Sequence, residues 1–183
     1  MAQEARKAAR QLAAVSIDTR NAALLAIADG IAANKEEIMA ANALDVAQAT
    51  EENLSAPLLS RLKVNETKCQ RMIDGLHALA ELPDPLGHVQ YAKELTNGLN
   101  LYRVACPIGV VGVIFESRPD ALVQISSLCL KSGNAVLLKG GKEALRTNQV
   151  LTRVIREATE KAGIPAGWCD LLQSREDVSE MLK

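Results

Sequence analysis

The chain has 183 residues, 48% hydrophobic and 23% charged, with a formal charge of −1. That length holds one domain with at most a small appendage. The near-neutral charge and the 2% aromatic content exclude the basic stripe and the stacking platforms of a nucleic-acid surface, and no apolar run approaches the roughly 20 residues of a membrane span.

The N-terminal segment MAQEARKAARQLAAVS lacks the long apolar stretch of a signal peptide, so a cytoplasmic location is expected. Cys69, Cys106, Cys129 and Cys169 are far apart with no C-x-x-C pair. Cys106 and Cys129 sit among apolar neighbours and read as reduced core thiols. With only His77 and His88 present, no metal site is expected.

Residues 1–82 read as helical. Ala5, Ala8, Ala9, Leu12 and Ala13 form one apolar stripe. Asp18 can cap a second helix carrying Leu24, Ile27, Ala28 and Ile31. Asn34 with Glu37 matches a capping box for a third, running to about Ala49. Asn65 can cap a fourth, with Cys69, Ile73, Leu76 and Ala80 on one face, and Pro83-Asp84-Pro85 breaks it. From His88 to Val104 the period becomes two. Asn97-Gly98 sits between two short runs and supplies the two positive φ angles of a type I′ hairpin turn. Such a ribbon either packs on its own domain or donates a strand to another subunit.

Beyond Pro107 strands and helices alternate: a strand at Ile108–Phe115, a helix at Asp120–Lys131, a strand at Ala135–Leu138, a helix at Leu145–Ala162, a strand near Cys169–Leu172 and a helix opened by Ser174 and Asp177. Gly163 and Pro165 end the longer helix. The fold class is therefore α/β: an incomplete doubly wound parallel sheet preceded by helices (1–82) and a β-hairpin (87–104), with the βαβαβ unit over 105–183. Ligands in such sheets lie at the carboxyl ends of the strands. The Glu116-Ser117-Arg118 and Lys139-Gly140-Gly141-Lys142 turns are thus expected to share one crevice. There is no G-x-G-x-x-G, and Gly141-Lys142 lacks the rest of a P-loop.

The segments P-I-G-V-V-G-V-I-F-E-S-R-P-D and S-L-C-L-K-S-G-N-A-V-L-L-K-G-G-K-E-A resemble gamma-glutamyl phosphate reductases, a branch of the aldehyde dehydrogenase superfamily. The likeness extends through N-A-L-D-V-A near Asn42, L-S-A-P-L-L-S-R-L near Leu54, G-I-P-A-G at Gly163 and V-S-E-M-L-K at the end, covering essentially the whole chain. E-S-R-P and K-G-G-K-E-A set that branch apart from other aldehyde dehydrogenases. The resemblance implies NADPH-dependent reduction of L-glutamyl 5-phosphate to L-glutamate 5-semialdehyde and phosphate, the second step of proline biosynthesis. In that family a cysteine thiolate displaces phosphate, and the thioester then accepts hydride.

The resemblance also implies where each part lies. Lys139 meets the adenosine ribose. Lys142 suits the 2′-phosphate of NADP, and Gly140 and Gly141 let the backbone approach the cofactor. Ile114, Phe115, Glu116 and Ser117 line the same strand end, with Ile114 and Phe115 as a wall under the cofactor. Arg118 is the substrate or oxyanion candidate, because a cation at a helix start calls for an anion nearby. Pro119, Asp120 and Asn134 read as structural. None of the four cysteines matches the family's nucleophile, which lies beyond Lys183. The chain is therefore expected to be an N-terminal portion supplying cofactor-binding parts, inactive alone, prone to aggregate through an exposed edge, and belonging to a homo-oligomer in the full-length enzyme. The alternatives are another acyl-phosphate or aldehyde reductase, or a truncated or split-gene fragment that binds nucleotide or a partner without chemistry.

Overall fold

Five helices precede the first strand in the computed structural model, which describes residues 1–174: α1 (Ala2–Leu12), α2 (Ile17–Ala33), α3 (Lys35–Glu51), α4 (Ala56–Leu62) and α5 (Glu66–Glu81). The short α4 has no counterpart in the sequence reading. Its seven residues, with Pro57 in the first turn, are too few to display a period. Asn65 caps α5 as expected, its side chain accepting from the Lys68 amide. Two other caps differ. Ser16, not Asp18, caps α2 by accepting from the Thr19 amide. Asn34 precedes α3 but turns back to donate to the Gly30 carbonyl, while Glu37 pairs with Arg153, so no capping box forms.

Strands β1 (Val89–Thr96) and β2 (Leu99–Val104) form the antiparallel hairpin, joined at Asn97-Gly98. Only Gly98 has a positive φ, so the turn is not type I′. An irregular step between Glu94 and Thr96 and the Glu94 carboxylate accepting from the Gly98 amide accommodate the difference. Every residue of both strands is exposed, so the ribbon does not pack on its own domain.

The remaining strands, β3 (Val110–Ile114), β4 (Ala135–Lys139) and β5 (Cys169–Leu171), form a parallel sheet in the order β3-β4-β5. Helices α6 (Pro119–Lys131) and α7 (Leu145–Lys161) make the two crossovers. Both step the same way across the sheet, so right-handed connections put both helices on one face. There Val136 and Leu138 join Leu122, Leu130, Leu151 and Ile155 in the main core, with α2 and α5 behind. Helix α1 covers the other face, where Ala5 meets Leu137 and Leu172. The expected helix from Ser174 and Asp177 lies outside the described residues.

Two buried cations tie the helical half to the sheet half. Arg20 donates to the Val15 and Lys131 carbonyls and pairs with Asp84 at 2.7 Å. Lys131 donates to Asn21 and to the Ala80 and Leu82 carbonyls. These bonds satisfy the end of α5 and fix the Pro83–Pro85 exit toward the hairpin. Asn134 holds the entry to β4, accepting from the Gly109 amide and donating to Ser132, as its structural reading anticipated. Cys69 and Cys169 are the buried thiols, Cys129 is half-buried and Cys106 is exposed. The core reading fails for Cys106 because the segment before β3 runs over the surface.

Candidate functional site

The carboxyl ends of β3 and β4 come together as the fold rule requires. The Phe115 amide donates to the Lys139 carbonyl at 3.0 Å, carrying the pairing one residue past the end of β3. The Phe115 ring then lies on Gly140, where an added Cβ would sit 3.1 Å from Cζ and would overlap the Asn148 amide nitrogen. At Gly141 a Cβ would fall 2.5 Å from the Ser117 hydroxyl and against the Glu143 carboxylate. The two turns therefore form one surface. The glycines are needed because protein side chains already fill the space that a side chain at either position would take.

The charged candidates are partnered. Lys139 folds its ammonium onto the Gly140 carbonyl at 2.8 Å. Lys142, 80% exposed, meets Glu52, just past the end of α3, at 3.3 Å. Glu116 pairs with Arg61 of α4 at 3.0 Å. Arg118 sits at the start of α6, where its charge opposes the helix dipole, and Asp120 in the first turn supplies the compensating anion at 2.8 Å. The hydrogen bond and charge of Asp120 hold the guanidinium above its ordinary pKa. Ile114 is exposed and Phe115 half-buried, so both are available as a wall. Next to Arg118 a groove of about 630 Å³ opens between α5 and α6, floored by Met72, Leu76 and Leu79 and edged by Lys68, Arg71 and Asp120.

Helix α7 starts one 3-10 turn (Lys142–Ala144) after Gly141 and has no cap or acidic residue of its own in its first turn. Asp45 of α3, 2% exposed, takes that place from across the interface. It accepts from the Thr147 amide at 2.8 Å, the Thr147 hydroxyl at 2.7 Å, and the amide and guanidinium of Arg146 at 3.3 Å. Asn42, one helical turn earlier, donates to the Thr147 hydroxyl and to the Leu62 carbonyl. A helix N-terminus of this kind commonly receives a ligand phosphate; here the protein's own carboxylate occupies it.

Sequence reasoning missed Asn42, Asp45, Glu143 and Asn148. A signal existed for the first two: they share the inward stripe of α3 with Ile38 and Ala49, and polar residues on an apolar stripe need partners. The described residues contain three buried side-chain oxygens without a partner, Asp120 Oδ1, Glu143 Oε2 and Asn148 Oδ1, in α6 and α7 and the 3-10 turn that follow the two turns. Burial pushes the Cys129 thiol up to about 11 and raises Cys169 further. Neither is poised as a thiolate. No group of three or more possible metal ligands occurs among the described residues, and no described helix is long and apolar enough to cross a membrane.

A model of the aldehyde dehydrogenase family matches residues 1–183. Among curated proteins the chain is 54% identical to gamma-glutamyl phosphate reductase from Pelotomaculum thermopropionicum and 55% identical to that from Acetivibrio thermocellus, in each case over the whole chain and 42% of the relative. It thus spans less than half the length of these relatives. It superposes on the crystal structure of gamma-glutamyl phosphate reductase from Thermotoga maritima with a TM-score of 0.94 at 35% identity, covering 100% of this chain and 44% of that one. A probable aldehyde dehydrogenase from Listeria monocytogenes, 20% identical with a TM-score of 0.73, covers all of this chain and 38% of its own and shares the fold. Matched along its whole length, the chain belongs to the aldehyde dehydrogenase family.

Proposed function

We propose that residues 1–183 are the N-terminal part of the NADP-binding domain of a gamma-glutamyl phosphate reductase, comprising helices over 1–82, the hairpin over 87–104 and the βαβαβ unit from 105 onward. The reaction would be reduction of L-glutamyl 5-phosphate to L-glutamate 5-semialdehyde and phosphate, in proline biosynthesis and in the cytoplasm. One observation carries this reading: the two turns that mark the reductase branch, E-S-R-P and K-G-G-K-E-A, meet at the Ser117–Gly141 contact on a single strand-end surface.

The donor set fits NADPH. Lys139 and Lys142 bring two cations to one turn, and Lys142 needs only to leave a solvent-exposed pairing with Glu52 to reach a 2′-phosphate. An ion pair held in water gains little from its Coulomb attraction, so a phosphate can displace it. Bound there, NADPH supplies the hydride. Ile114 and Phe115 would wall the cofactor, with Glu116 and Ser117 beside it. Arg118, with Lys68 and Arg71 along the α5–α6 groove, would hold and orient the anionic substrate. The nucleophilic cysteine would come from sequence beyond Lys183, so the 183 residues alone would not turn over. The exposed hairpin would pair with another subunit of a homo-oligomer.

The test is a comparison of NADPH and NADH use after Lys142→Glu, in a reductase of the relatives' length that carries these residues. The reading expects loss of the NADPH preference. An unchanged preference would remove Lys142 from the site.

A further inference from the structure

The cofactor turn is three residues from the start of α7, so whatever fixes that start also fixes the turn. Helix α7 cannot cap itself: Ala144 stands at the N-cap, and the first turn holds no acid. All the capping comes from Asp45, a buried residue about one hundred positions away in sequence, which receives the Thr147 amide and hydroxyl and both Arg146 donors. Asn42 locks the same Thr147 hydroxyl to α3 and the end of α4. The residue after Thr147 is Asn148, 1% exposed, whose amide lies against Gly140 where any Cβ would be. A continuous chain of contacts therefore runs from Asp45 through Thr147 and Asn148 to the backbone of Gly140. Fraying of the first turn of α7 would release Asn148 and with it the Gly140-Gly141 conformation that carries Lys139 and Lys142.

We infer that Asp45, seated beside Asn42, is a positioning residue for the cofactor turn: it sets NADPH affinity through Thr147 and Asn148 without touching the cofactor. The inference rests on the assignment of Lys139–Lys142 to NADPH. A preorganised turn spends less of its binding free energy on ordering, so loosening it weakens binding even when every contact residue is retained.

The test uses a reductase of the relatives' length carrying this chain, with Asp45→Asn, Thr147→Val and Arg153→Gln. The last breaks the Glu37 pair, which joins the same two helices away from the turn. Two readouts are taken: amide exchange at Gly140–Ala144, and the Kd for NADPH by direct titration. Asp45→Asn, which removes the charged acceptor, is expected to speed exchange in that turn and raise the Kd about tenfold, and Thr147→Val, which removes only the hydroxyl's bonds, about threefold. Arg153→Gln is expected to lower Tm without either effect. Unchanged exchange and Kd in Asp45→Asn would overturn the inference, as would equal changes in Arg153→Gln. If Asp45→Asn does not fold, Thr147→Val decides in the same way. Failure of the unsubstituted protein to bind NADPH refutes the cofactor assignment instead, and the exchange data still judge whether Asp45 fixes the turn.

Discussion

Gly140 gives the sharpest test of how the strand-end surface is built. Its φ is not in the left-handed region, so the cost of Gly140→Ala is steric and not conformational. The new methyl would overlap the Asn148 amide nitrogen and press on the Phe115 ring at 3.1 Å. Asn148 is 1% exposed and cannot swing into solvent. Overpacking of this kind costs about 1–3 kcal/mol, and a value of about 2 kcal/mol corresponds to a fall in Tm of roughly 4–8 °C at this chain length. Removing the obstacle should cancel most of it. Asn148 Oδ1 has no partner, so Asn148→Ala gives up little hydrogen bonding, and the double variant should recover about 1–2 kcal/mol relative to additivity. Gly141→Ala should also destabilise, because its methyl would meet both the Glu143 carboxylate and the buried Ser117 hydroxyl. Urea unfolding at low protein concentration reads the effect through Trp168, the single tryptophan, fully buried with its indole donating to Thr159. Additive single and double variants would refute the packing argument.

Three further outcomes follow from the same structure. Burial raises the Asp84 pKa, but the Leu86 amide and the Arg20 guanidinium outweigh it and hold the carboxyl below its ordinary value of 3.8. The unfolded chain therefore takes up that proton first as pH falls. The contribution is complete above about pH 4 and is lost below it as pH falls through the folded value. Asp84→Asn should flatten the acid limb of the urea midpoint; an unchanged limb would mean Asp84 does not set it. Arg118→Ala in a reductase of the relatives' length should lower kcat/KM for the acyl phosphate by about 10- to 100-fold, as expected for loss of a charged contact of about 1.5–3 kcal/mol, whereas equal kcat/KM would remove Arg118 from substrate binding. Leu99, Leu101 and Tyr102 are exposed on an unpaired ribbon, so the 183-residue chain should self-associate with concentration. Leu101→Lys should reduce this, and a monodisperse monomer at high concentration would contradict the edge argument.

The alternation of strands and helices after Pro107 was legible because each apolar run ends at a charged or glycine turn, and β3, α6, β4, α7 and β5 fall within two residues of the expected bounds. What stayed hidden is set by distance in sequence. The cap of α7 comes from α3, and no local pattern around Ala144 announces it. The same competition explains Asn34, whose side chain is a good cap in isolation but finds the Gly30 carbonyl first. Asn97-Gly98 marks the turn correctly, while its type depends on the irregular pairing beside it. The two site motifs were readable as turns, but not the ion pairs that hold their side chains, since Glu52, at the end of α3, and Arg61, in α4, lie far upstream. Gly140 and Gly141 were readable as turn glycines, but not the Phe115, Asn148, Ser117 and Glu143 side chains that occupy the space a side chain at either position would need.

The central claim, that these two turns form the NADP site of a gamma-glutamyl phosphate reductase, is tested most directly in the reverse reaction. A reductase of the relatives' length carrying these residues is given L-glutamate 5-semialdehyde, phosphate, and either NADP⁺ or NAD⁺. The account predicts phosphate-dependent formation of NADPH, with NADP⁺ preferred and the preference lost in Lys142→Glu. Nucleotide reduction that does not require phosphate, or that prefers NAD⁺ with and without Lys142, would contradict it.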